Sequence, residues 1–305
     1  MNATSSGALA ALSVDLAAAV SAIGPSVVYV DAHPRRDVSG IIWDERHVVT
    51  ADHLVDREDD IDLILADGTT THATLVGRDP STDVALLRTT ATLAPAPRAD
   101  LAGLAAGHIV LAVGRDEDGA IGASFGIVSS FDGPWRTWRG GDVDRFIRPD
   151  LNVYPGFSGG PLIDAGGRIA GMNTWGLSRR SALTLPVTTL DRVIAQLQSG
   201  GRIARGYLGV AMQSVRLPET LRTTQHLAQR TGAIVVDVQP GGPAERAGVQ
   251  LGDVILALGD DTIEDSDDLQ RALGYGNVGT TRPLRVARGN ETRTLQITIG
   301  ERPDE

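Results

Sequence analysis

At 305 residues and 42% hydrophobic content, the chain has room for about two globular domains with real cores. Its formal net charge is −10, and no run of Lys and Arg exceeds two residues, which opposes a nucleic-acid footprint. There are no cysteines, so disulfides and thiolate metal sites are excluded, while the compartment is left open.

Met1 to Val20 holds no Lys or Arg, and Asp15 interrupts its Ala-rich stretch. A secretory signal needs a basic start. A membrane span needs ~18 or more apolar residues with few or no charges. The expectation is a soluble, cytoplasmic chain with no membrane span. The alternative is a periplasmic or other extracytoplasmic protein whose signal has been removed.

Residues 9–22 predict a helix ending before Gly24-Pro25. Short apolar or alternating runs follow at 26–30, 40–43, 48–50, 61–65, 71–76, 84–88, 109–113 and 124–129. Others lie at 145–148, 161–163, 168–174 and 182–186. Most are bounded by Gly, Pro, Asp or Asn, and 36 glycines supply tight turns. Such regular short strands predict a mainly β protein built as a sandwich or barrel. Residues 190–197 have helical periodicity, and Ser199-Gly200-Gly201 is the candidate linker. Beyond it, 206–300 forms a second compact set of strands with helices at 244–247 and 266–275.

Ser158 stands in Pro155-Gly156-Phe157-Ser158-Gly159-Gly160-Pro161-Leu162. A serine hydroxyl becomes a nucleophile only with a general base in reach and donors for the oxyanion. Gly-x-Ser-x-Gly alone also fits a plain turn. The α/β-hydrolase elbow shares the pattern, but it leads into a helix and its histidine comes last in the chain. Here Ser158 leads into a strand and a hairpin turn, and the one later histidine is His226. The base therefore lies upstream. His53 follows directly on the apolar strand Val48-Val49-Thr50, whereas His33, His47, His72, His108 and His226 read as surface residues. For the third member, Asp83 opens the strand Asp83-Val84-Ala85-Leu86-Leu87. Its rivals are Asp79, a turn residue before Pro80, and Asp52, whose adjacency to His53 makes a ring contact awkward. The order His53, Asp83, Ser158 is that of the chymotrypsin-like class.

Thr50-Ala51-Asp52-His53, Gly159-Gly160-Pro161-Leu162 and Gly171-Met172-Asn173-Thr174-Trp175-Gly176 resemble that superfamily directly. From about Leu12 to Gly300 the chain resembles the HtrA family (peptidase Do), a trypsin-like protease followed by PDZ. Its specific stretches include Ala66-Asp67-Gly68, Val76-Gly77-Arg78-Asp79-Pro80, Phe125-Gly126-Ile127-Val128-Ser129 and Arg205-Gly206-Tyr207-Leu208-Gly209-Val210. The resemblance implies a chymotrypsin-like double β-barrel over 1–202, with its N-terminal helix, and a PDZ domain over 203–305. It implies catalytic His53, Asp83 and Ser158, and an oxyanion hole from the amides of Gly156 and Ser158. Substrate contacts fall on Val153, Thr174, Trp175, Gly176, Leu183 and Leu185. Phe157 departs from the family's usual Asn and bears on the shape of that loop. It also cannot receive a freed amine, which opposes zymogen-style activation. With the uncharged Asn152 six residues before Ser158, small aliphatic side chains are expected at the cleavage position.

In the second domain, Leu208, Gly209 and Val210 are expected to hold a peptide's terminal carboxylate. Val210 and Met212 would face Leu269 and Leu273 across a groove that captures a C-terminus by strand addition. The implied activity is ATP-independent endopeptidase action on unfolded or damaged proteins, by a homotrimer or a multiple of one. The alternative is an inactive PDZ binding protein or holdase. No cofactor and no metal site are expected.

Overall fold

The computed structural model describes residues 7–178, 180–201, 203, 206–274 and 277–301. The chain divides into two compact units, Met1–Ile203 and Ala204–Glu305.

The first unit opens with helix α1 (Ala8–Ile23), which a 3-10 turn at Gly24–Ser26 brings to a stop. Six strands then close a barrel: β1 (Val27–Asp31), β2 (Ser39–Ile42), β3 (His47–Ala51), β4 (Ile61–Ile64), β5 (Thr70–Asp79) and β6 (Val84–Thr89). A second six-stranded barrel follows, made of β7 (Ile109–Arg115), β8 (Ile121–Asp132), β11 (Phe146–Asp150), β12 (Pro161–Asp164), β13 (Ile169–Thr174) and β14 (Leu183–Pro186). The short ribbon β9 (Trp135–Arg136) and β10 (Asp142–Val143) projects between β8 and β11.

Strand period explains why several of these strands read as continuous apolar runs. In β3 and β6, Val48 and Leu87 face the interior of the first barrel. Their neighbours Val49 and Leu86 join the larger core with the second barrel. Both faces are covered, so both faces are apolar. Each such side chain stabilises the fold by roughly 1.5–3 kcal/mol on burial.

Helix α2 (Val187–Gly200) buries Val187, Leu190, Val193, Ile194 and Leu197, the i, i+3, i+4, i+7 stripe of an amphipathic helix. It runs past the predicted stop at residue 197. Ser199 and Gly200 are helical, and Gly201, at φ 70°, caps the helix by donating to Leu197 O at 2.8 Å. The glycine pair is thus a helix terminus first.

Helix α1 is more apolar than its interruption by Asp15 suggests. The 19-residue helical stretch Ala8–Ser26 contains an 18-residue window of mean hydropathy 1.7 and is long and apolar enough to cross a membrane by length and composition. Asp15 is its one charged residue, and the surrounding Ala, Leu, Val and Ile outweigh it. Leu9 and Val14 face outward.

In the second unit, β16 (Val210–Arg216), β17 (Thr231–Val238), β18 (Val254–Leu258), β20 (Thr281–Arg288) and β21 (Glu291–Thr298) pair in that order. β19 (Asp261–Thr262) adds to β18, and β15 (Gly206–Tyr207) pairs with β22 (Gly300–Glu301). Three short helices complete the unit: α3 (Glu219–Thr224), α4 (Pro243–Arg246) and α5 (Ser266–Ala272). α5 begins with a capping box in which Asp265 and Asp268 satisfy each other's backbone amides. Tyr275, at the predicted end of that helix, and Arg205 of the family-like motif lie outside the described residues.

Candidate active site

His53 sits in the 3-10 turn Asp52–Leu54 that ends β3. The turn before β6 is closed by Asp79, which accepts from Ser81 N (3.1 Å), Ser81 Oγ (2.5 Å) and Thr82 Oγ1 (2.6 Å). Asp83 follows with φ 60°, the left-handed region that a non-glycine residue adopts only under constraint. That twist aims its carboxylate at His53. The His53 amide donates to Asp83 Oδ1 at 2.8 Å, and Nδ1 lies 2.9 Å from Oδ2. Thr174 Oγ1 also donates to Oδ2, and Gly176 N–H donates to that same hydroxyl at 2.8 Å. Asp83 is 1% exposed, so its charge is neutralised by these donors and not by water. A carboxylate at Nδ1 keeps the proton there and leaves Nε2 as the basic nitrogen.

The rival Asp52 is occupied elsewhere. Arg78 Nε donates to Asp52 Oδ1 at 2.5 Å, and Nη2 reaches the carbonyls of Asp52 and Val55. Burial pushes the Asp52 carboxyl above its ordinary value, against the pull of Arg78.

Ser158 lies in the loop between β11 and β12, with its Oγ 3.3 Å from the Trp175 amide. Around it, Phe157 N donates to Tyr154 O, Gly159 N to Asn173 O, and Gly160 N to Phe157 O. Next to the nucleophile candidate, the N–H groups of Gly156 and Ser158 have no protein acceptor among the described residues. These two amides, one on each side of Phe157, are free to donate to an anionic oxygen. Gly159 is required twice over. Its φ is +86°, and a Cβ there would come 2.0 Å from Ser39 O. No hydrogen bond joins His53 to Ser158 among the described residues. Both lie against residues 174–176, and such bonds often tighten only with substrate in place.

Thr174, expected to touch substrate, is wholly buried and spends its hydroxyl on Asp83. Trp175 keeps 44% exposure, and its Nε1 donates to Val153 O at 3.1 Å. Leu183 stands opposite Thr174 and Leu185 opposite Met172. Leu185 has no exposed surface, so here it serves packing.

Ser39, Thr50 and Asn173 escaped the sequence reading. Thr50 Oγ1 donates to Ser39 O at 2.7 Å, and Ser39 N donates to Ser158 O at 3.2 Å. Asn173 exchanges backbone bonds with Gly159 and Gly160. A polar residue inside an apolar strand was the available signal.

In the second unit, β16 is an edge strand of its sheet. Leu208 is buried with Leu269 and Leu273, and Val210 and Met212 pack against the same cluster. Gly209 has φ 77°, and its carbonyl accepts from Gln239 N. Among the described residues, no cluster of His, Asp or Glu could hold a metal ion.

Family models match as a trypsin-like peptidase domain over residues 38–172 and a PDZ domain over residues 206–299. An HtrA-type protease solved with a decapeptide, AlgW, superposes with TM-score 0.77 at 27% identity, covering 95% of this chain and 99% of that one. The chain carries a trypsin-like peptidase domain and a PDZ domain, and it is similar to HtrA-type proteases. A serine endoprotease from Yersinia pestis gives TM-score 0.76 at 28% identity, over 93% of this chain and 97% of that one. Among curated relatives, a probable periplasmic DegP-like serine endoprotease of Pseudomonas putida is 34% identical over 87% of this chain. One from Brucella suis, with the same description, is also 34% identical over 87%. The chain spans 56% and 52% of the length of these two relatives. Their periplasmic naming, together with the apolar α1, overturns the cytoplasmic expectation.

Proposed function

We propose that this chain is an ATP-independent endopeptidase for unfolded or damaged proteins, with Ser158 as nucleophile. The observation that carries the reading is the convergence of His53, held by Asp83, and two unengaged amides on the Ser158 loop. Ser158 Oγ attacks the scissile carbonyl as His53 Nε2 takes its proton, and Asp83 steadies the imidazolium. The oxyanion settles between the N–H groups of Gly156 and Ser158. His53 then protonates the leaving amine, and water, activated by the same base, frees the acyl group.

Residues 1–202 carry this chemistry. Val153, Trp175, Gly176 and Leu183 border the cleavage position, where small aliphatic side chains are preferred. Residues 203–305 capture C-termini: a peptide adds to the free edge of β16 and lays its last side chain among Val210, Met212, Leu269 and Leu273. The working form is a homotrimer or a multiple of one, measurable by light scattering.

Casein hydrolysis by the wild type, abolished in Ser158→Ala, tests the reading. Fluorophosphonate labelling located by mass spectrometry should fall on Ser158. Equal inertness of both proteins, with suppression of aggregation, would establish a binding protein or holdase instead.

A further inference from the structure

The two amides assigned to the oxyanion flank Phe157, with Gly156 before it and Ser158 after it. Neither amide is held by a protein acceptor among the described residues, so their planes are set by what grips the residues between them. Gly156, at φ +87°, is by itself free to rotate. The Phe157 ring is 8% exposed and joins the main core. It lies over Gly114 and Gly122, which face each other directly across β7 and β8. A Cβ on Gly114 would stand 2.5 Å from Phe157 Cδ1, and one on Gly122 would stand 3.0 Å from Cζ. Tyr154 meets the ring edge-on, with centroids 5.5 Å apart. On the other side of the loop, Ser39 Oγ donates to Gly156 O at 2.6 Å and accepts from Arg115 N at 3.0 Å. Arg115 follows Gly114, so one stretch of β7 both floors the ring and anchors the hydroxyl that holds Gly156.

We propose that Phe157 is a positioning residue of the oxyanion hole. Its ring, seated in the slot left by the Gly114–Gly122 pair, fixes the two peptide planes so that the N–H groups converge. The hole is thereby assembled by the chain's own core, without an incoming activator. This rests on the peptidase reading above.

The test is steady-state kinetics on a chromogenic peptide with full-length wild type, Phe157→Ala, Phe157→Leu, Gly114→Ala and Gly122→Ala, each checked by thermal unfolding. Phe157→Ala should lower kcat by about 10²-fold or more, the scale of losing one oxyanion donor, with KM nearly unchanged. Binding of a peptide aldehyde, whose adduct needs the hole, should weaken in parallel. Gly114→Ala should cost more than Gly122→Ala, because its Cβ intrudes further into the ring. Gly122→Ala should cost less in a Phe157→Leu background than in wild type, since the smaller side chain leaves room for the methyl. A generally weakened fold would not produce that compensation. Wild-type kcat in folded Phe157→Ala, or in Phe157→Leu should the alanine variant not fold, overturns the proposal, as does an effect confined to KM. A wild type that neither cleaves nor labels at Ser158 sinks the peptidase reading and this proposal with it.

Discussion

Replacing Asp83 by Asn isolates the electrostatic part of the site while keeping its shape. The carboxylate accepts from the His53 amide at 2.8 Å, from His53 Nδ1 at 2.9 Å, and from the Thr174 hydroxyl. All three partners are donors, and Asn offers one acceptor oxygen and one donor nitrogen. If the oxygen stays at the Oδ1 position with the His53 amide, the NH2 takes the Oδ2 position and faces both Thr174 Oγ1 and Nδ1, which must then become an acceptor. The imidazole proton moves to Nε2, and the nitrogen facing Ser158 can no longer act as base. Triads that lose this carboxylate drop by about 10⁴ in kcat, or roughly 5.4 kcal/mol at 1.36 kcal/mol per tenfold. The assay is kcat on a peptide substrate beside the rate of fluorophosphonate labelling, with the melting temperature as control. Both rates should collapse in a protein that still folds. Asp52→Asn, next to His53 in sequence but bonded to Arg78, should cost far less. Activity of Asp83→Asn within tenfold of wild type, or equal losses in the two variants, would refute the assignment.

Thr174→Val removes one hydrogen bond to a buried charge, a contact of about 1.5–3 kcal/mol, so kcat should fall about 10- to 100-fold. Asp52 gives a pH test. Its carboxyl is held above the ordinary 3.8, chiefly by burial, so the folded state binds its proton more tightly than the unfolded state does. Its contribution to stability therefore grows as pH falls from the raised folded value toward 3.8, and declines as pH rises. Urea unfolding of wild type minus Asp52→Asn should show that slope; the opposite slope would mean that the Arg78 pair outweighs burial. Met212→Glu puts a charge beside Leu269 and Leu273 and should weaken binding of peptides with apolar C-termini by tenfold or more, read by fluorescence anisotropy.

The strands were legible because each carries its own period, and Val48 with Val49 or Leu86 with Leu87 show both faces of a barrel wall in adjacent letters. His53, Asp83 and Ser158 could be singled out as the proposed triad because chain order and strand ends are visible in the sequence. Less visible were contacts between residues far apart in sequence. Thr174 reads as the last residue of an apolar strand; that its hydroxyl reaches Asp83, 91 positions earlier, depends on how the two barrels pack. Ser39 stands just before the apolar run 40–43, yet it holds Gly156, 117 positions later. The extra turn of α2 through Ser199 and Gly200 was hidden for a different reason: helix propensity disfavours glycine, and the left-handed cap at Gly201 decides where the helix stops. Asp15 misled in the opposite direction, since one carboxylate in a stretch whose mean hydropathy reaches 1.7 does not make α1 polar.

These long contacts cross the seam between the barrels. His53 and Asp83 belong to the first barrel, while Ser158 and Thr174 belong to the second. Thr174 grips Asp83 from across the seam. Ser39, from β2 of the first barrel, grips Gly156 and the carbonyl of Ser158 in the second. At Gly159 the backbone passes so close to Ser39 O that no side chain fits between them. The proposed base and nucleophile therefore have no fixed relation within either barrel alone. Their alignment is a property of the packed interface, and the side chains that secure it are the buried hydroxyls of Ser39 and Thr174. Phe157 does the complementary task within the second barrel, tying the nucleophile's loop to β7 and β8 so that the seam contacts meet a loop already in shape.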